Sequence, residues 1–372
     1  MFLRGKPHQF RLDRGQRGAR DTLRAFNGAN AVNGGSNGGG AGGLNIRCVH
    51  GFSSKGKFSE NPTPSCALGK QGASQTPMTD QMRVFDRALV ARRRARAVAR
   101  VDRVAPILDD AADRLLDRLD DTTRRFTRAL DLGGRGFVAP KLAARGIPFI
   151  VSADLAPGMA ARGGGLPVAA DEEFLPFAEG AFDLVVASLS LHWVNDLPGA
   201  LIQIRRALAP DGLFLASLPG LPSFGALRSA LAEAEAELRG GISPRISPFP
   251  ELRDGAALLQ RAGFALPVAD AEDMALRYKS AFGIFADLRA AGEANAVLAR
   301  DGRTPPRALF PMAAARLGGA EVDLPLRLLV LTGWAPSPSQ QKPARPGSAT
   351  ARLADALGAA EISAGEKAGK PQ

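Results

Sequence analysis

Three carboxylates, a run of glycines and one histidine are the residues whose types and spacing could do chemistry. Ala129-Leu-Asp-Leu132 is an apolar run holding Asp131, and it ends on Gly133-Gly-Arg-Gly136. Glycines at a strand end let a ligand approach the backbone and free amide N–H groups at the next helix start. Asp154 closes the next apolar run about twenty residues on, the spacing at which such turns set an acid against ribose hydroxyls. Asp171 follows a third run, where an ionised carboxylate accepts from an adenine amino group or caps the turn behind it. His192, after a fourth run, could serve as general base for an oxygen or nitrogen acceptor, or pack beside Trp193. Trp193 reads as a pocket wall. Arg245, between Pro244 and Pro248, is either a clamp for an anionic or peptide substrate or a solvated loop residue.

Strand ends must hold these groups. The four runs, at 129–132, 148–154, 167–171 and 182–188, alternate with helical stretches. That pattern calls for crossovers, a parallel sheet and a right-handed, doubly wound α/β fold. Its ligand site lies at the carboxyl ends of the strands, where strand order reverses. Upstream, Val84 to Arg96 reads as a basic helix with a solvated face, the other reading being a substrate- or partner-facing patch. Val104, Ile107, Leu108, Ala111, Ala112, Leu115, Leu116 and Leu119 recur at helical spacing, so a second helix packs on the sheet. The two make an N-terminal helical cap. Downstream, Asp196-Leu-Pro198 starts a helix, and Pro210-Asp-Gly212 turns into a fifth strand over 213–218, with Gly212 accepting φ > 0. Further helices are predicted over 224–239, 252–262 and 289–300, with a late strand over 326–334. Residues 336–348 form a proline loop, and the last dozen residues fray.

The net charge of +11 invites a nucleic-acid reading until it is located. Residues 1–77 hold eleven Lys/Arg against three Asp/Glu, which leaves only +3 for the other 295 residues. These first 77 residues read as a disordered basic tail, because 30–43 is nearly all Gly, Asn, Ala and Ser. Their Arg-rich start is similar to a mitochondrial transit peptide; the other reading is that translation begins at Met78 or Met82. Cys48, Cys66, His8 and His50 all fall in the tail, so the domain has His192 alone and no cysteine. A thiolate site or a multi-histidine metal site within the domain is thereby ruled out. No run of about 18 apolar residues is present to span a membrane.

Taken together the motifs carry a resemblance. Leu130-Asp-Leu-Gly-Gly-Arg-Gly136, Asp154, Asp171-Glu-Glu-Phe-Leu-Pro-Phe177 and Phe182-Asp-Leu-Val-Val-Ala-Ser188 resemble a class I S-adenosylmethionine-dependent methyltransferase. Ser188-Leu-Ser-Leu-His-Trp-Val-Asn-Asp-Leu-Pro198, Ile242-Ser-Pro-Arg-Ile-Ser-Pro-Phe249, Gly292-Glu-Ala-Asn295 and Arg345-Pro-Gly-Ser-Ala349 narrow the resemblance. They are similar to the methyltransferase-like assembly factors of respiratory complex I and their bacterial relatives, near the biotin-pathway carboxyl methyltransferases. The resemblance implies a Rossmann-like, mostly parallel, seven-stranded sheet with helices on both faces. It implies S-adenosylmethionine held by Asp131, Gly133, Gly134, Gly136, Asp154, Asp171, Glu172 and Ser188. Beside these, the residues themselves offer His192 as the candidate catalytic base, or as a histidine packed beside Trp193, with Trp193 and Arg245 on the substrate side. The chain departs from the family twice. Arg135 and Phe137 stand where the usual turn has its second and third glycines, unless one residue is missing and Gly134 and Gly136 serve. Gly220-Leu-Pro-Ser-Phe224 replaces a Gly-Gly-acid-Thr-Leu segment on the substrate side, so Pro222 stands for an acid.

Methyl transfer from a sulfonium is a direct displacement that needs alignment and a dry site rather than a metal or a triad. The expectation is N-terminal helices over 78–126, a cofactor domain over 127–335 that methylates a protein or small-molecule acceptor, and a Pro-rich segment over 336–372. The resemblance also implies two alternatives. One is complex I assembly, by hydroxylating an arginine of a respiratory subunit or by chaperoning it; the other is carboxyl O-methylation. The expected partners are the acceptor and, in the assembly reading, a complex I subunit, with no nucleic acid and no transmembrane segment. The expected setting is the cytoplasm of a bacterium, or alternatively the mitochondrial matrix.

Overall fold

The computed structural model describes residues 83–318, 321–340, 348 and 352–360. The tail 1–77 and most of the proline loop after residue 340 lie outside the described residues.

Seven strands form one sheet in the order β3-β2-β1-β4-β5-β7-β6. They are β1 (Arg128–Leu132), β2 (Phe149–Asp154), β3 (Leu166–Ala169), β4 (Phe182–Ser188), β5 (Leu208–Gly220), β6 (Ala265–Tyr278) and β7 (Val322–Trp334). All neighbours pair in parallel except β7, which runs antiparallel to both β5 and β6. The chain winds outward from β1 to β3, then returns to the far side of β1 at β4. The order reverses there, and folds of this kind place a ligand at such a point, at the carboxyl ends of β1 and β4.

Strand alternation gives the sheet its two faces. Leu130, Leu132, Val185 and Phe214 point one way, beneath the helices α5 (Leu197–Ala207) and α7 (Leu252–Ala262). Ala129, Leu184, Val186 and Leu215 point the other way, against α2 (Ala105–Leu116) and α3 (Ala139–Ala144). The apolar stripe of α2 is buried as predicted, with Leu115 and Leu116 fully inside. Asp196 caps α5 by accepting from Gly199 N, and Gly263 ends α7 at φ +80°. A third core joins α6 (Gly225–Arg239), α8 (Ala281–Ala290) and α9 (Leu309–Arg316) to β6 and β7 beyond the strand ends.

Several local expectations are corrected. The helix predicted over 289–300 is α8, which lies earlier; Gly292 then turns the chain at φ +79°, and Phe85 bridges Val297. Pro210-Asp-Gly212 lies inside β5 as an irregularity in its pairing with β4, and Asp211, not Gly212, takes positive φ. The basic helix is α1 (Arg87–Ala97), capped by Asp86. Its inner face is not a solvated one. Val90, Arg94 and Ala97 are buried at i, i+4, i+7 spacing, which puts an arginine in the middle of the apolar stripe.

Candidate functional site: an arginine-roofed crevice and an apolar cavity

The glycine turn is fastened from inside. Asp131 is buried at the end of β1 and accepts from Gly134 N at 3.0 Å and Ala139 N at 3.2 Å, tying the turn to the start of α3. Burial pushes its pKa up to about 7; these two N–H bonds oppose the rise and nearby Asp154 adds to it. Gly133 sits at φ +74°, and a Cβ there would run into Ser190, whose hydroxyl donates to Leu132 O at 2.8 Å. Gly134 packs on the Asp131 carboxylate and Gly136, at φ +91°, on Arg162. Arg135 does not leave the turn: it adopts φ +54° and is 3% exposed. Its guanidinium donates to Leu189 O and to Glu293 Oε1, both at 2.5 Å. Left-handed backbone at a residue with a Cβ costs about 1–2 kcal/mol.

The strand-end acids gather under α1. Asp154 Oδ1 accepts from Ala156 N at 2.8 Å, and Oδ2 accepts from Arg94 Nη1 at 3.0 Å. Glu172, fully buried, faces Arg94 Nη1 at 3.5 Å and is bonded by Arg87. Asp171 accepts from Arg87 Nη2 at 2.5 Å and from Glu173 N at 2.9 Å, so it also closes the turn behind it. Arg94 is fully buried. Burial alone would lower its basicity, but Asp154, Glu172 and Glu293 outweigh that and push it above the usual range. Its Nε and Nη2 are buried with no hydrogen-bond partner among the described residues. Ser188, nearly buried, pairs in register with Ser217 on β5.

The substrate-side residues gather elsewhere, around Glu293. His192 Nε2 meets Glu293 Oε2 at 2.7 Å, and Trp193 Nε1 donates to the same oxygen at 2.5 Å. Burial raises the Glu293 pKa, yet His192, Arg135 and Arg94 more than reverse this and hold it well below the usual carboxylate range. Trp193 packs edge-on against Phe85, with ring centroids 5.3 Å apart. Arg135, His192, Trp193, Arg245 and Glu293 line one cavity of about 600 Å³. Arg245 is not free in its loop; it is paired with the buried Glu235 of α6. Phe224, next to the altered Gly220-Leu-Pro-Ser segment, also lines the cavity. Gly133, Asp154, Asp171, Glu172 and Ser188 are not among its lining residues.

Sequence reasoning thus missed Arg87, Arg94 and Glu293. The spacing of Val90, Arg94 and Ala97 was the available signal for Arg94, hidden inside an arginine-rich run. Glu293 lies in Gly292-Glu-Ala-Asn295, a motif that carries the family resemblance but has no periodicity to give its acid a role.

Comparisons with known proteins fall on this site. A family profile described as a methyltransferase domain matches residues 130–216, from β1 to the middle of β5. The arginine-hydroxylase NDUFAF5, mitochondrial, of Homo sapiens is 38% identical over 291 residues, covering 74% of this chain and 84% of that protein. The Danio rerio protein of the same name is 36% identical over 288 residues, covering 74% and 89%. The chain belongs to this family. A malonyl-[acyl-carrier protein] O-methyltransferase of Halorhodospira halophila is 34% identical over 246 residues, covering 63% of this chain and 80% of that protein. These matches make the chain a methyltransferase, and its seven-stranded, mostly parallel sheet is Rossmann-like. Among the described residues no helix is long and apolar enough to cross a membrane.

Proposed function

We propose that the crevice under α1 binds S-adenosylmethionine and that the adjoining cavity takes the methyl acceptor, a protein group or a small molecule. One observation carries this reading: buried acids at the strand ends stand beside buried guanidinium nitrogens that have no partner among the described residues. The donor set suits the molecule. Asp154 and Glu172 offer carboxylate oxygens to hydroxyl groups, each oxygen having more than one lone pair, and Asp171 offers one to an amino group. Arg94 Nε and Nη2 and Arg135 Nε offer charge-assisted donors to a carboxylate. In this chain those arginines take the part that further glycine amides take in the usual turn. When bound, the cofactor supplies an electrophilic methyl group.

The rest is done by the protein's own groups. Glu293 holds Arg135, His192 and Trp193 in one place, and it acts as a positioning residue. With Nε2–H donated to Glu293, His192 keeps the Nδ1 lone pair for a proton of an oxygen or nitrogen acceptor. Trp193 and the aliphatic wall exclude water. Calorimetric titration of S-adenosylmethionine into the full chain tests the reading, with Asp154→Asn alongside, which keeps the cap on Ala156. Saturable binding weakened about 10- to 100-fold by the substitution is expected, the range of a hydrogen bond to a charged group. A folded protein that shows no binding overturns it.

A second reading is modification of a protein arginine, as the name of the NDUFAF5 relatives describes for those proteins, on a respiratory complex I subunit. Its support is that Glu293 already accepts a guanidinium, that of Arg135. Mass spectrometry of an arginine peptide after incubation with the protein tests it; an unmodified peptide counts against it.

A further inference from the structure

The cavity has a chemistry more specific than a generic acceptor site. Its volume, about 600 Å³, falls in the range of small-molecule pockets. The walls are aliphatic and aromatic: Ile107 and Leu108 on α2, Leu231 on α6, Leu276 on β6, and Ile284 and Phe285 on α8. Six arginines line it against three carboxylates. Each of those carboxylates is already engaged. Asp287 accepts from Arg103 at 2.5 Å, Glu293 from Arg135 at 2.5 Å, and Asp301 is bonded by Arg239.

The cations are not all engaged in return. Arg93 Nη1 and Arg135 Nε are buried donors with no hydrogen-bond partner among the described residues, and both residues line the cavity. Burial, and next the neighbouring Arg300, lower the basicity of Arg93. A buried guanidinium N–H without an acceptor is costly, and it has no lone pair to turn outward. An anion relieves that cost; a second cation adds to it. A long apolar wall, in turn, rewards an apolar body rather than a sugar or a peptide.

We infer that this cavity binds an apolar-bodied carboxylate, a fatty-acid-like molecule whose acid group meets Arg93 while its chain lies along α6 and α8. That this ligand is the acceptor rests on the proposed function; that it binds does not.

Titration of hexanoate, octanoate and decanoate into the full chain without cofactor tests it, with decanol and decylammonium as uncharged and cationic matches. Decanoate should bind saturably and at least tenfold more tightly than decylammonium. Affinity should rise about three- to fourfold per added methylene. Arg93→Gln should remove most of the preference for decanoate over decanol; the wild-type comparisons stand without it should that variant fold poorly. Equal binding of decylammonium, or a series flat in chain length, overturns the inference. Saturable S-adenosylmethionine binding with no decanoate binding overturns it while leaving the cofactor reading intact. Decanoate binding without cofactor binding does the reverse.

Discussion

Glu293 is the residue that ties the glycine turn to the segment after β4. One carboxylate accepts from a turn arginine, a histidine and a tryptophan, each contributed by a segment remote in sequence. Its proton is held less tightly in the folded chain than in the unfolded one, because the surrounding positive groups outweigh its burial. Between its folded value and the ordinary value near 4.3 the unfolded state binds more protons, so stability there rises with pH. The contribution is complete above about pH 5 and is lost as pH falls towards the folded value. Glu293→Gln should therefore flatten the acid limb of stability, by up to about 1.4 kcal/mol per pH unit. Urea midpoints from pH 3 to 7 would show it, and profiles that stay parallel would count against the assignment. At this scale the sequence was legible where spacing carries meaning. Asp154, at the ribose-acid distance from the glycine turn, does end β2 beside that turn. The motif around Glu293 was legible as part of the resemblance but its role was not, because that comes from three partners remote in sequence.

Among the elements, α1 is the one whose part in the site runs against its composition. Five of its eleven residues are arginine, and a helix so charged reads as solvated, yet Arg94 and Arg87 roof the acids of β2 and of the segment after β3. The pairing is a buried one, so removing a single partner strands the other: Arg94→Met should cost about 3–5 kcal/mol. Arg94→Met with Asp154→Asn should recover part of that loss, since the leftover charge is gone, and a double-mutant cycle on thermal midpoints measures the coupling. Purely additive losses would mean the contact carries no such weight. Other elements were read from local pattern alone. α2, α5 and α7 have apolar stripes and caps, and β1, β2 and β4 are short apolar runs. β6 was missed because Asp270, Glu272 and Asp273 break its apolar character. It is an edge strand whose first half buries little, and only Met274, Leu276 and Tyr278 alternate inward. α9 was missed because its eight residues are too few to show a period.

On the scale of the whole molecule, β7 joins the parallel half of the sheet to everything beyond it. It pairs with β5 along one edge and with β6 along the other, and Leu324, Leu326 and Leu328 belong to the core shared with α6, α8 and α9. Ending the chain at residue 318 should leave β5 with an open edge and β6 with no neighbour, giving aggregated rather than soluble protein. Size-exclusion chromatography of the truncated chain would decide this, and a monomeric, cooperatively melting product would refute it. The sequence conveyed the doubly wound half through its strand–helix alternation, whereas the antiparallel β7–β6 end has no local signature.

The arginine roof also has a consequence in time. Synthesis runs from the N-terminus, so α1 is made before the acids it covers: Arg94 precedes Asp154 by 60 residues and Glu172 by 78. At about 5–20 residues per second, that interval is roughly 3 to 16 s. During it Arg94 is without the two acids it covers. The roof therefore closes only on acids that have already been made, and a nascent chain halted before Asp154 would display α1 without the acids it covers.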